Sequence, residues 1–210
     1  MNRKIKALGL ALVASLAMSA MVASAAQAIE FHSTAAHTIL TGEQTTSHKF
    51  TVGSGFGAIT CTTAKFTGTT TATTEASQKI TPEYKGCKDS FGRTAHVTVS
   101  ATYTFTPPAV ATGEANVHLN GSFTIQVTNG SGTVICDVKV ETQTNNGIVY
   151  HNVASGVETT TNTTNVKTTT SGGSLNCGVS DGAHTGGSYT GNSVVKGTDT
   201  EGKAVTITVS

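Results

Sequence analysis

The sequence predicts an all-β protein, namely a β-sandwich of two packed, mainly antiparallel sheets with about ten to twelve short strands. The chain holds 41 threonines and 23 glycines but only 3 prolines and no tryptophan. Threonine is β-branched and favours strands, whereas the Leu, Lys and Glu residues that favour helices are scarce. Residues 94–106 alternate strictly between apolar and polar side chains, and turn signals separate further alternating runs.

The clearest predicted strand is Thr94–Thr106, which has one face on a core and one in water. Its apolar positions are Ala95, Val97, Val99, Ala101, Tyr103 and Phe105. A strand of that length would span about 43 Å at about 3.3 Å per residue, longer than most strands. We therefore expect a bend near Ser100-Ala101, where the strand would pass between sheets. Pro107-Pro108 closes the strand because proline cannot donate to a ladder.

Before this strand, weak strands are predicted around 37–41 and 47–52, with Thr41–Gln44 as the turn between them. A run of strand-like sequence follows over 59–67, and another over 79–84. Pro82 indicates that the latter is an edge strand or the beginning of a strand.

After it, residues 115–127 repeat the alternation. Asn120-Gly121 favours a turn, and Leu119 and Phe123 share a parity, which predicts a hairpin with the three-residue loop Asn120–Ser122. Asn129–Gly132 is the next turn, and strands follow at 134–140 and 148–150.

Residues 158–173 are rich in Thr and Asn and have Val166 as their one apolar residue. Two interpretations remain open here, an exposed low-complexity loop and an edge strand centred on Val166. Residues 174–187 are expected to form a loop around Cys177, and the last strands to lie at 188–191, 194–195 and 205–209.

The first 28 residues have the pattern of a cleaved secretory signal peptide. A short basic segment, Arg3 to Lys6, precedes an apolar run over 7–21, and small residues up to Ala28 fit the cleavage rule. The apolar run is shorter than the about 20 residues of a membrane-spanning helix and lacks a charged flank. Residues 29–210 are therefore expected to form one secreted or envelope-associated domain.

The charge balance argues against two classes of partner. Cleavage removes three basic residues and leaves 10 Lys and Arg against 12 Asp and Glu, a formal charge of −2. No basic face is expected, so neither nucleic acid nor an anionic membrane is a predicted partner.

Four cysteines in an exported chain predict two disulfide bonds. We expect the sequential pairs, Cys61 with Cys87 and Cys136 with Cys177. The apolar parity of Cys136 supports a buried bridge. A metal site is the alternative, but no two cysteines have C-x2-C spacing and no histidine lies nearby at ligand spacing.

Several segments resemble a family of secreted, β-rich actinobacterial proteins. They are Glu30–Ser33, Cys61–Gly68, Thr81–Cys87, Tyr103–Phe105 and the end of the chain from Tyr189 to Val209. Members usually carry extra cysteines near the counterparts of Tyr103 and Ile125, and this chain has none there. The resemblance implies the fold and an extracellular location, and it implies no activity, because the family has no assigned catalytic residues.

No catalytic, cofactor or metal site is predicted. Residues 178–182 fit the G-x-S-x-G pattern, but that motif needs a strand before the serine and a helix after it, so a glycine-rich turn is expected. Residues 53–57 are expected to be a loop, because neither a helix nor a lysine follows them. The histidines are scattered and expected at the surface. His96 and His118 could meet across neighbouring strands as a weak metal site.

The sequence by itself identifies no activity. We expect a non-enzymatic structural or interaction protein, secreted or associated with the cell envelope. The alternative is a binding module for cell-wall glycan or another exported protein, acting through the threonine-rich face or residues 158–173. A hydrolase is the third possibility.

Overall fold

The computed structural model describes residues 29–53, 57–108 and 113–210. The predicted signal peptide lies outside these residues, as do residues 54–56 of the predicted glycine-rich loop. The strands are β1 Phe31–Ser33, β2 Ile39–Gln44, β3 His48–Thr51, β4 Ile59–Cys61, β5 Thr63–Thr69, β6 Thr74–Glu75, β7 Gln78–Lys85, β8 Cys87–Lys88, β9 Thr94–Phe105, β10 Ala115–Thr128, β11 Val134–Val140, β12 Gln143–Val153, β13 Gly156–Ser171, β14 Gly182–Thr198, β15 Ala204–Val205 and β16 Ile207–Val209. A single helical turn, α1, spans Ser174–Cys177. Within the described part of the chain, no helix is long and apolar enough to cross a membrane.

The strands form a closed, antiparallel, eight-membered β-barrel. Its eight staves, in chain order, are β2 with β3, β4 with β5, β7 with β8, β9, β10, β11 with β12, β13, and β14. Each stave pairs with the next one along the chain. The last stave, β14, pairs with β2 and β3 and so closes the ring.

The all-β prediction is therefore confirmed, but the two-sheet sandwich is wrong. A sandwich strand and an up-and-down barrel strand both present alternate residues to a core, so their sequence patterns are alike. What separates the two folds is the pairing of the first stave with the last, between residues about 150 positions apart in the chain.

A small sheet covers one end of the barrel. It has the order β16-β1-β6 and brings together the beginning and the end of the described chain. Ile207 is buried against the end of β14 at Gly197, and the Phe31 ring packs edge-on against Tyr150 at 5.5 Å. The Asn152 side-chain amide donates to the Val209 carbonyl at 2.8 Å and accepts from its N–H at 2.9 Å. We call this three-stranded sheet the cap.

The connection between β13 and β14 crosses the opposite end of the barrel. It contains α1, and Arg93 from the β8–β9 turn donates to the Asn176 carbonyl at 2.8 Å. The β8–β9 turn joins the third and fourth staves, and the β13–β14 connection joins the seventh and eighth, which face them across the barrel. The contact between Arg93 and Asn176 therefore spans the barrel end. The disulfide Cys136–Cys177 fixes the crossing segment to β11, and Cys61–Cys87 joins β4 to β8. The structure thus contains both predicted disulfides, and the predicted loop over 174–187 is replaced by α1 and the start of β14.

The structure corrects the predicted bend and the predicted hairpin loop. β9 keeps one register against β10 from Ala95 to Phe105, without a bulge at Ser100-Ala101. β10 continues without a break through Asn120–Ser122. The shared parity of Leu119 and Phe123 does not require a loop, because residues four apart also lie on one face of an unbroken strand. Gly121, at φ 113°, lies so close to the Ser100 carbonyl that a side chain would collide with it.

The predicted turn at Thr41–Gln44 and the predicted strand edge at Pro82 also need correction. Thr41–Gln44 belongs to β2 and is not a turn. Pro82 lies inside β7, opposite Phe66 of β5, while the ladder from β7 to β9 ends at Ile80. β7 is therefore a strand edge only locally, beyond Ile80, where β9 no longer pairs with it.

The largest correction concerns the threonine-rich segment 158–173. Most of it belongs to β13, a sixteen-residue stave paired on both sides, so it is neither a loop nor an edge strand. Its alternate residues point into the barrel, and four of these inward side chains are buried threonines: Thr161, Thr163, Thr168 and Thr170. Polar residues on both faces conceal the alternation that identified the other staves.

Two of these inward threonines lead to a stability prediction. The hydroxyl oxygens of Thr163 and Thr168 are buried and have no hydrogen-bond partner among the described residues. Replacing Thr163 by Val keeps the shape and removes an unsatisfied polar group, so the free energy of unfolding should rise by about 1 kcal/mol. Urea denaturation measures this change. Thr164→Val, at an exposed neighbour, is the control and should change the free energy little; equal effects would contradict the assignment.

Candidate functional site

The barrel encloses an apolar cavity that extends from the cap to the middle of the barrel. Its volume is about 130 Å³. Phe31 and Ile207 of the cap line one end, and His48 and Phe50 of β3 line the other. All eight staves contribute at least one lining residue, and most of the lining surface is apolar.

The side chains that line this cavity include no Lys, Arg, Asp or Glu among the described residues. The ionisable groups on its wall are the imidazoles of His32 and His48 and three tyrosine hydroxyls. A charged molecule would therefore lose its hydration here without gaining an opposite charge, which is costly.

A chain of five hydrogen-bonded side chains runs along one wall of the cavity, and all of its members except Tyr84 line the cavity. The Tyr103 hydroxyl lies 3.2 Å from that of Tyr84, which lies 2.8 Å from that of Tyr189. The Tyr189 hydroxyl lies 2.5 Å from His48 Nδ1, and His48 Nε2 lies 2.9 Å from Ser193 Oγ. We call these five residues the tyrosine–histidine chain. It connects β9, β7, β14 and β3 through the interior.

Strand parity places each member of this chain inside. On β3, His48 and the buried Phe50 are two residues apart and therefore share the inward face. On β14, Tyr189 and Ser193 share a face with Gly191 and Gly197. Gly191 is essential for the packing, because a Cβ there would lie 2.6 Å from both Cγ and Nδ1 of His48. The imidazole therefore lies directly against the backbone of β14.

Burial determines the protonation states. Desolvation lowers the pKa of His48 from 6.5 to about 4, and a hydrogen bond to the Asn192 backbone opposes this only in part. Burial also raises the pKa values of Tyr84, Tyr103 and Tyr189 well above the ordinary value of 10.0. All members of the chain are consequently neutral near pH 7.

Ser193, His48 and Tyr189 have the connectivity of a nucleophile, a base and an orienting group. A base is most effective when its pKa lies near the working pH, and the lowered pKa of His48 makes it a weak base. Tyr189 is neutral and cannot stabilise an imidazolium as a carboxylate would. The arrangement is therefore better suited to holding a neutral hydrogen-bonding partner than to activating a serine.

The sequence-predicted motifs lie away from this site. Residues 178–182 follow α1 and lead into β14, so no strand precedes Ser180 and no helix follows it, as expected for a turn. His96 lies opposite Gln126, and His118 lies opposite Thr104, near the two ends of the β9–β10 ladder. The idea that these two histidines meet is therefore wrong. Within the described ranges, no three His, Cys, Asp or Glu side chains form a metal-binding group.

The sequence reasoning missed His48, which it assigned to the surface although only 3% of the residue is exposed. The signal that could have found it is the alternation His48, Phe50, Val52, which puts a histidine on the apolar face of a strand. Tyr103 was correctly assigned to the core, but its hydroxyl also has a partner there. Tyr103 therefore packs in the core and also forms a hydrogen bond there.

No family model, curated protein or solved structure matches the chain. The resemblance to secreted actinobacterial proteins stays a prediction.

The lowered pKa of His48 makes stability depend on pH. The unfolded chain binds a proton to this imidazole near pH 6.5, whereas the folded protein does so only near pH 4. The free energy of unfolding should therefore fall as the pH drops from 6.5 towards 4, by about 3 kcal/mol in total from this group, at about 1.4 kcal/mol per pH unit. Above pH 6.5 this contribution is constant.

Urea denaturation between pH 7.5 and pH 4 tests this dependence. The variant His48→Gln should show a much shallower decline than the wild type, and His118→Gln, at an exposed imidazole, should keep the wild-type decline. Parallel curves for wild type and His48→Gln would contradict the assignment of the pH dependence to His48.

The contact between Gly191 and the imidazole gives a second prediction. Gly191→Ala should displace His48, break its hydrogen bonds and lower the free energy of unfolding by about 2 kcal/mol or more. Gly186→Ala on the same strand is the matched control, because the nearest atom to its added Cβ is 3.9 Å away. Thermal and urea unfolding compare the two; equal stabilities would show that His48 does not need this close approach.

Proposed function

We propose that the protein is an exported binding protein that holds a small, neutral, mainly apolar molecule inside its barrel. The observation that carries this proposal is the apolar cavity within a closed eight-membered barrel. Eight-stranded barrels have interiors just wide enough to be filled by side chains or to hold one small ligand.

The size and lining of the cavity define the ligand. A volume of about 130 Å³ is close to that of an engineered apolar cavity of about 150 Å³ that takes up benzene. The absence of charged residues from the described lining favours an uncharged ligand. The aromatic rings of Phe66, Phe105 and Phe123 offer broad apolar surfaces to it.

Export supports an extracellular or envelope location for this binding. The basic and apolar pattern of residues 1–28 is that of a signal peptide, and two disulfides are compatible with an oxidising compartment. The proposal is for binding without catalysis, because the weak basicity of His48 disfavours activation of Ser193.

An interaction role at the cell envelope is a second candidate, and one observation favours it. At the end of the barrel opposite the cap, Phe91 is 80% exposed and Leu175 is 98% exposed. Arg93 joins the turn that carries Phe91 to the helical turn that carries Leu175, and exposed apolar side chains that lie close together can form a contact surface for another protein.

The binding proposal predicts that toluene stabilises the protein. A ligand that binds only the folded state raises the midpoint of thermal unfolding in a concentration-dependent way. Wild-type protein should show this rise, and NMR shifts should locate toluene at cavity-lining residues. A wild type that does not respond to toluene or to xenon would overturn the proposal.

Adjacent valines of β14 provide matched variants. Val195 lines the cavity, whereas Val194 is opposite Glu158 and Glu43 on the outer face. Val195→Phe should fill part of the cavity and abolish the response to toluene, and Val194→Phe should keep it. Circular dichroism confirms that both variants fold. Loss of the response in both variants, or in neither, would place the binding site elsewhere.

A further inference from the structure

The tyrosine–histidine chain has one hydrogen more than its internal bonds can use. Each of its five members is neutral and carries a single hydrogen on a polar side-chain atom. Four hydrogen bonds join them. Since every bond uses one hydrogen, one O–H group remains without an acceptor inside the chain, and its position depends on which imidazole nitrogen carries the hydrogen.

The two distances at the imidazole indicate where this O–H group lies. The Tyr189 hydroxyl is 2.5 Å from Nδ1, a short contact of the kind that an O–H donor makes, whereas the 2.9 Å between Nε2 and Ser193 Oγ is typical of an N–H donor. We therefore place the imidazole hydrogen on Nε2. Nδ1 must then accept from Tyr189, which accepts from Tyr84, which accepts from Tyr103. The spare hydrogen is therefore on Ser193 Oγ.

Ser193 is positioned to offer that hydrogen to the cavity. The residue lines the cavity and is only 3% exposed, and its hydroxyl has no hydrogen-bond partner other than His48 among the described residues. A buried O–H without an acceptor is costly, and a ligand oxygen would satisfy it. Most of the cavity surface is apolar, so a single acceptor on an otherwise apolar molecule fits best.

We propose that the ligand is an uncharged, mainly apolar molecule with a carbonyl oxygen, and that the Ser193 hydroxyl donates a hydrogen bond to this oxygen. This inference rests on the proposed binding function. His48 and the three tyrosines act as positioning residues, because their directed hydrogen bonds keep Ser193 as a donor. A site that donates a hydrogen bond to a ligand oxygen discriminates against hydrocarbons of the same shape, because they cannot accept that bond.

Two probes of nearly equal shape test this inference, cyclohexanone and methylenecyclohexane, in which a CH₂ group replaces the carbonyl oxygen. Affinities of both are measured by calorimetry or ligand-induced NMR shifts. Ser193→Ala should weaken cyclohexanone binding by about tenfold and leave methylenecyclohexane within about twofold.

Two control variants separate the donor from its surroundings. Thr159→Val removes a cavity hydroxyl opposite Ser193 that already donates to the Ser193 carbonyl at 3.4 Å, so cyclohexanone affinity should change little. Tyr103→Phe removes the other end of the chain and should also leave that affinity unchanged. If Tyr103→Phe, and not Ser193→Ala, lowered cyclohexanone binding, the assigned direction of the chain would be wrong.

The outcomes distinguish this inference from the function on which it rests. If methylenecyclohexane binds and cyclohexanone binding does not depend on Ser193, the carbonyl assignment is overturned and the apolar binding function stands. If Ser193→Ala weakens both probes equally, the hydroxyl acts through the shape of the cavity and the assignment also fails. If neither probe binds the wild type, both proposals fall.

Discussion

The pairing of β14 with β2 and β3 is the constraint on which the rest of the structure depends. It joins the last stave to the first and removes the free edges that an open sheet would expose. Closure also gives the inward faces of all eight staves one common interior. In that interior His48 of the first stave meets Tyr189 and Ser193 of the last. The cavity and the tyrosine–histidine chain are consequences of this single junction.

Side chains complete the barrel where its backbone ladders are interrupted. Between β12 and β13, the amide of Gln143 exchanges two hydrogen bonds of 2.9 Å with the backbone of Lys167. Asn152 does the same for Val209 of the cap, and the Thr142 hydroxyl bridges the N–H and carbonyl of Gly121. An amide side chain offers one donor and one acceptor, as a peptide unit does, so it can replace a missing ladder pair. The two disulfides lie towards the end opposite the cap, where they fix the crossing segment to β11 and join the short strands β4 and β8.

The combination of an apolar cavity and a neutral polar chain explains the kind of ligand that we propose. Burial keeps His48 and the tyrosines uncharged, so the wall offers directed hydrogen bonds without an electric charge. The close approach of Gly191 holds the imidazole in place. Recognition would then depend on shape and on one hydrogen bond, which suits a small neutral molecule.

The sequence by itself determined the all-β class and the strand through Tyr103 and Phe105, because alternation is a local pattern. It favoured the sequential pairing of the four cysteines, which the structure contains. Tertiary structure decided the rest. Barrel and sandwich strands alternate alike, so only long-range pairing reveals closure. The sequence did not predict β13 as a strand paired on both sides, because threonines occupy both of its faces and no apolar alternation marks the inward one. The site was missed because its five residues come from four strands and meet only when the ring is closed.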